Sequence, residues 1–326
     1  PGRLVEFVSD QGCVLERTPF YPGQISGTIQ RSEWKIFPDS SRIVNAYVEN
    51  NTEVAFDVIR SDIPDTIPQE ELVEATELAI YFLVFNPTKP PFNDIRVRQA
   101  IAHAIDRKML WEEFSVPFSR GGLIPPGMPG HSPEIDYPFD LAKARKLLSE
   151  AGFPGGRGFP RTVSFCPLGR MDSFNAMAAQ WKSELGIEIN FEFIRPFDVG
   201  EWEKKRITCC LMPNGWIADY PDPDNILNRS VAISLLRYFG WQDAVYDGLV
   251  NEAACTPDRI KRMAMYRQAD RMLIVDQSLV VTLCYGTKFH LYLVKPWVKN
   301  LVYSSVGKIE FFNVNIEGQR PSSAGP

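Results

Sequence analysis

Between Glu77 and Asn86 the chain reads ELAIYFLVFN, apolar at almost every position. An unbroken apolar run of this length predicts a strand buried on both faces, or a crossing between lobes. SLVVTLCYG, which ends at Gly286, has the same character. Before the first run the pattern is that of strands and turns with one helix. CVLERTPFY reads as a strand ending at the Tyr21-Pro22-Gly23 turn, and EWKIFPD alternates and stops at a proline. SSRIVNAYVENN predicts a short amphipathic helix, with Ile43, Ala46 and Tyr47 on one face and serines able to cap it. EVAFDVI predicts a strand.

Between the two apolar runs the period changes to that of helices. Asn93 or Asp94 is placed to cap DIRVRQAIAHAIDRKMLWEEF, whose apolar stripe is Val97, Ala100, Ile101, Ala104 and Ile105. SRGGLIPPGMPGHSPE is a Gly/Pro loop. Asp140 is placed to cap DLAKARKLLSEAG, and Gly152 stands where a left-handed C-terminal cap is expected. RTVSFCPL predicts a strand, Asp172 a cap for SFNAMAAQWKSELG, and IEINFEFI an alternating strand. Thr256 is placed to cap PDRIKRMAMYRQADRMLIVD, with Pro257 at the first helical position. Alternating helices and strands from Leu83 to about Tyr285 argue an α/β lobe. The strand-rich ends are expected to belong together, joined to that lobe by the two apolar runs. The tail GQRPSSAGP is expected to be disordered.

Composition narrows the classes. There are 326 residues, enough for two domains. Proline, at 26 residues, is about 8% of the chain against a usual ~5%. That favours defined turns and extended connections. With a net charge of −5 and no dense Lys/Arg stripe, a nucleic-acid partner is not expected. No apolar run approaches the roughly 20 residues that span a bilayer. Six cysteines, Cys13, Cys166, Cys209, Cys210, Cys255 and Cys284, contain no CxxC, and three histidines do not cluster with them. No metal and no cofactor is expected. Buried thiols are the plain reading. One disulfide using Cys13 or Cys255 would suit an exported protein, with connectivity left open.

GWIADYPDPDN, Gly215 to Asn225, concentrates the candidate chemistry. A calcium loop needs converging oxygens, a central Gly and a distal Glu, and Pro221 and Pro223 stiffen this one. Paired carboxylates for glycoside hydrolysis come from different elements across a cleft, and no second partner is visible. GxSxG, GxGxxG and GxxxxGK are absent. The residues themselves leave two readings open. In one, Trp216 is core and Asp219 caps a turn. In the other, Gly215 allows close backbone approach, Trp216 supplies an apolar wall with one N–H, and Asp219 pairs with a ligand ammonium.

FNDIRVRQAIAHAIDRKML resembles the signature segment of the family 5 extracellular solute-binding proteins, the dipeptide, oligopeptide and nickel binders of ABC importers. Pro91, Phe92, Asp94, Val97, Arg98, Ala100, Ala104, Ile105 and Asp106 carry the match. It continues through LERTPFYPG, TEVAFDVI, LIPPGMPGHSP, YPFDLAKARKLLSEAGFPGG, AAQWKSELGIEI, GWIADYPDPDNIL, YDGLVNEAA, RIKRMAMYRQADRMLIVD and LVKPWV, in family order over almost the whole chain. The resemblance implies a periplasmic-binding-protein-like two-lobe α/β fold of the large peptide-binder type, here expected to lack its N-terminal part. Residues 1–80 would be part of lobe I, 81–286 lobe III, and 287–326 the return to lobe I with the C-terminal tail.

It also implies a binding protein and not an enzyme, monomeric, periplasmic or extracellular and membrane-anchored. Its partners would be a peptide or small-molecule ligand and an ABC transporter permease. By resemblance, Asp219 takes the ligand's α-amino group while the backbone of Gly215, Trp216 and Ile217 runs beside it. Tyr285 and Tyr81 would line the cleft, and Lys204 would face the ligand's acidic end. Leu-Met-Pro-Asn before Gly215 departs from members that carry a basic residue there. The alternative is a ligand-sensing domain of this fold within a larger cytoplasmic regulatory protein.

Overall fold

The computed structural model describes residues 2–75, 77–108, 120–166, 171–193, 204–205, 209–286, 290–306, 309–311 and 313–318. The last turns expected of the helix after Asp94, and the tail beyond Gly318, lie outside them. In chain order the elements are β1 (Gly2–Val8), β2 (Gly12–Arg17), β3 (Arg31–Lys35), α1 (Ser40–Val48), β4 (Val54–Val58), β5 (Leu72–Ala75), β6 (Ala79–Phe85), α2 (Ile95–His103), α3 (Leu141–Glu150), β7 (Thr162–Cys166), α4 (Met171–Leu185), β8 (Ile189–Phe193), β9 (Leu211–Ile217), α5 (Val231–Tyr238), α6 (Ala244–Cys255), α7 (Arg259–Arg271), β10 (Val280–Gly286) and β11 (His290–Val294), then four two-residue strands. They divide into two compact units, residues 1–77 with 288–326, and residues 78–287.

The first unit holds two antiparallel three-stranded sheets, ordered β1-β2-β3 and β4-β11-β5. The cap of α1 is Asp39, which accepts from the Arg42 N–H, and not one of the serines; the Ser40 hydroxyl instead accepts the Ile59 N–H. Val44 and Tyr47 of α1 pack on Ala55, Val58, Leu291 and Leu293 to make a small core. Ile43 and Ala46 share the same buried side, as the spacing predicts.

The second unit is built on the sheet β10-β6-β9, antiparallel throughout. β6 lies in the middle, and Phe82, Leu83, Val84 and Phe85 are wholly buried. This is why its sequence shows no alternation: a strand covered on both faces has no polar side. Each such side chain contributes about 1.5–3 kcal/mol by leaving water. β7, α4 and β8 form a separate parallel βαβ pair.

Helix starts follow local chemistry with two shifts of register. Asp94 and Asp140 cap α2 and α3 by accepting from Arg96 and Lys143 N–H groups. Gly152 closes α3 at φ +96, a conformation that costs other residues a Cβ clash. The cap of α7 is Asp258, which accepts from Ile260 and Lys261 N–H groups, and not Thr256. Thr256 instead closes α6, its hydroxyl bonding the Glu252 carbonyl. Asp172 lies inside the first turn of α4 and is not its cap. The long helix expected after Asp94 stops at His103. The chain turns there so that Arg107 enters the interior, donating to the Thr282 and Tyr137 carbonyls and pairing with Asp136 at 2.8 Å. Buried Arg98 binds the carbonyls of Phe92, Gln277 and Ser278, tying α2 to the entry of β10.

Candidate ligand-binding site

β9 is the edge strand of its sheet, and its register decides what it presents. Ala218 N–H bonds the Leu78 carbonyl at 2.9 Å and Asn86 N–H bonds the Cys210 carbonyl at 2.8 Å. In an antiparallel ladder alternate residues bond the partner and the others face away. Leu211, Pro213, Gly215 and Ile217 therefore turn their peptide groups outward from β6, although the Gly215 N–H is taken up by Asn214 Oδ1 at 2.8 Å. Pro213 breaks no ladder bond in this phase, since its missing N–H would point off the edge. At the start of β9 the Ser164 hydroxyl occupies the outer edge by donating to the Leu211 carbonyl. Towards the end the strand emerges: Leu211 to Asn214 are buried, Gly215 and Trp216 half-buried, and Ile217 is 43% exposed.

Pairing also assigns the faces. Tyr81 stands opposite Gly215, and its ring carbons lie 2.9 Å from the point a Gly215 Cβ would occupy. Only glycine lets that ring lie across the backbone. Ile80 is paired with Trp216 on one side and Tyr285 on the other, so these three share the opposite face.

Asp219 and Trp216 are joined through one side chain. Asn225 is 0% exposed. Its Oδ1 accepts the Trp216 indole N–H at 2.8 Å and the Asp219 N–H at 3.1 Å, and its Nδ2 donates to Asp219 Oδ2 at 3.1 Å. Asp219 itself is exposed, and among the described residues no donor meets its Oδ1. The other two carboxylates of the loop are turned elsewhere. Asp222 accepts from Arg262 of α7 and from the Asp224 N–H. Asp224 accepts from the Tyr220 hydroxyl and from Asn228. Burial, then the Asp224 contact, raises the Tyr220 phenol above its usual range. The three acids thus serve three separate sets of partners and do not converge as a calcium loop requires.

The residues singled out by sequence divide accordingly. Gly215, Trp216, Ile217, Asp219 and Tyr81 come together at the open end of β9. Tyr285 does not line an open cleft: it is 1% exposed, and its hydroxyl donates to the Gly122 carbonyl at 2.6 Å. Burial raises that phenol well above its usual range. The Gly122 backbone and the His131 ring, edge-on at 5.7 Å, cover it and explain the difference. Lys204 is exposed in a described stretch of two residues, and no described contact links it to Asp219. Asn225 was missed by sequence reasoning. The only hint is its position directly before Ile226 and Leu227, which are wholly buried and carry it inward. None of the six cysteines is joined in a disulfide, so the one considered for Cys13 or Cys255 is not formed.

A solvent-open carboxylate oxygen, a half-buried indole and outward peptide groups at a strand edge can hold an ammonium followed by an extended amide chain. Residues 1–233 match the family described as bacterial extracellular solute-binding proteins, family 5 middle. The chain is 28% identical to heme-binding protein A of Haemophilus influenzae, over 78% of this chain and 47% of that protein. It is 30% identical to the dipeptide-binding protein of Escherichia coli, over 76% of this chain and 47% of that one. The chain thus spans about half the length of these curated relatives. In backbone it is similar to the crystal structure of a dipeptide binding protein from Pseudoalteromonas in complex with Met-Leu, with a TM-score of 0.75 at 20% identity, covering 97% of this chain and 64% of that one. That likeness gives the mixed α/β fold of that crystal structure over the part of it that is covered. The match over residues 1–233, with the backbone likeness beside it, places this chain in the family 5 bacterial extracellular solute-binding proteins.

Proposed function

We propose that the chain is the ligand-binding part of the substrate-binding component of an ABC importer, and that it takes a peptide or a similar small solute with a free amino group. The observation that carries this reading is the open end of β9, where Asp219 stands beside outward-facing peptide groups. The ligand's ammonium pairs with Asp219, its first amides extend the sheet from the Gly215 carbonyl and from Ile217, and Trp216 and the Tyr81 ring border it. The family consists of binding proteins, and the site supplies charge, hydrogen bonds and an apolar wall; on this reading the chain is not an enzyme. It works as a monomer, in the periplasm or outside the cell, and delivers its ligand to a permease. The regulatory alternative has no support in the fold or among the relatives.

Calorimetric titration with Ala-Ala-Ala and with its N-acetylated form tests the reading. The free peptide is expected to bind more tightly. Asp219→Ala is expected to weaken it at least roughly tenfold, about 1.4 kcal/mol. Unchanged affinity refutes the role given to Asp219. Haemin titrated in place of the peptides tests the ligand class that the name of the Haemophilus relative suggests.

A further inference from the structure

Asn225 sits in an unusual position for a polar side chain: wholly buried, yet bonded to both groups that frame the open end of β9. The orientation of its amide follows from its partners. The Trp216 indole N–H and the Asp219 backbone N–H can only donate, so the amide oxygen must face both. The amide nitrogen is then left facing an Asp219 carboxylate oxygen, which can only accept. All three contacts are satisfied in one arrangement, and a flip would break all three.

The scaffold behind Asn225 is equally determined. Its N–H bonds the Asp222 carbonyl at 3.0 Å. It opens the wide helical turn Asn225–Arg229, whose Ile226 and Leu227 are buried. Arg262 of α7 holds Asp222 at 2.7 Å, and the Asp224 N–H closes on the same Asp222 oxygen. The loop 219–225 is thus an arch pinned from α7, with Asn225 as its inner foot and Asp219 as its outer one.

We propose that Asn225 is the positioning residue of this site, holding the Asp219 carboxylate and the Trp216 indole as one rigid unit. The proposal rests on the reading of Asp219 as the ammonium partner. Asn225 occupies Oδ2 of Asp219 and leaves Oδ1 for the ligand, so it sets the direction in which the carboxylate meets an amine. A carboxylate without that bond is free to rotate about its side-chain torsions and must be ordered by the ligand itself.

Two readouts test this. Wild type, Asn225→Ala and Asn225→Asp are compared in the full chain, labelled with 15N at tryptophan, the Trp216 indole signal being assigned by its loss in Trp216→Phe. The Trp216 indole proton is expected to exchange slowly in wild type and to shift and exchange at least tenfold faster in Asn225→Ala. In Asn225→Asp the buried carboxyl faces the Asp219 carboxylate and keeps a proton, so it offers an acceptor to the indole and a donor to Asp219, and the indole signal is expected to stay slow.

The second readout is the ratio of affinities for Ala-Ala-Ala and N-acetyl-Ala-Ala-Ala. A purely structural role weakens both peptides equally and leaves the ratio unchanged. Lost positioning of Asp219 lowers the ratio, by at least about fivefold in Asn225→Ala, while Asn225→Asp stays near wild type. Equal weakening of the two peptides, or an unchanged ratio, in Asn225→Ala overturns the proposal. So does a fast-exchanging Trp216 indole proton in wild type. If wild type or Asp219→Ala shows that the amine makes no difference, the ammonium reading fails, and the indole exchange alone decides whether Asn225 holds Trp216.

Discussion

Asp270 carries the sharpest consequence of burial in this protein. It lies on α7, wholly enclosed, with Oδ1 accepting the Leu123 N–H at 2.8 Å and Oδ2 without a partner among the described residues. Gly122 lies so close that a Cβ there would fall 2.0 Å from Oδ2. Burial raises the carboxyl from 3.8 to about 7, against the lowering effect of the Leu123 and Ile124 N–H groups. At about 1.4 kcal/mol per pKa unit, the rise corresponds to about 4 kcal/mol. The folded protein holds this proton more tightly than the unfolded chain does. Stability from this group is therefore full below pH 4, falls as pH rises from about 4 to 7, and is flat above.

Asp270→Asn keeps the oxygen that faces Leu123 and never ionises. Its amide nitrogen replaces an unpartnered oxygen, at a cost of about 1–3 kcal/mol at every pH. The variant is expected to be less stable than wild type at pH 4.5 and more stable at pH 8. The difference between the two proteins should change by several kcal/mol across that range. Urea unfolding of both proteins at half-unit pH steps measures it, and taking the difference cancels groups unaffected by the substitution. The groups facing Asp270 are the Tyr285 and Tyr246 phenols and Glu134, and burial raises both phenols well above their usual range, clear of this window. A flat difference curve, or one in which the variant gains on acidification, refutes the reasoning.

Two further predictions concern buried donors and thiols. Arg98→Met is expected to destabilise the chain by at least about 3 kcal/mol, because three carbonyls, those of Phe92, Gln277 and Ser278, lose their donor inside the protein; a loss under 1 kcal/mol on urea unfolding would show that water replaces the guanidinium. In a thiol-reagent assay at pH 8, exposed Cys255 should react first, half-buried Cys13 and Cys210 more slowly, and Cys209, which burial pushes up to about 11, only after unfolding. Unfolding should then release six thiols, and a smaller count would reveal a disulfide.

The amino-acid sequence alone determined the local parts of this molecule. An apolar run without alternation at 77–86 pointed to a strand covered on both faces or a crossing between lobes, since either leaves no polar side. Asp94, Asp140 and Gly152 mark helix ends because caps act within one turn of the backbone. The run from Pro91 to Asp106 pointed to the family, and with it the stretch around Gly215 and Asp219. Local pattern misled where two polar residues near one helix start competed, as with Thr256 and Asp258, since the choice depends on which fits the turn.

Tertiary structure decided what depends on partners far apart in the chain. Whether a tyrosine in an apolar strand is a wall or an anchor depends on what packs over it. Tyr81 met a glycine and stayed half-open, whereas Tyr285 met the Gly122 carbonyl and was enclosed. The end of the helix after Asp94 was set by Arg107 reaching Thr282, 175 positions away. The roles of the three acids in the loop followed from Arg262, Tyr220 and Asn225 each claiming one of them. Asn225 acquires its meaning only because the register of β9 on β6 delivers the Trp216 indole to it, and register is a property of the paired strands rather than of either sequence.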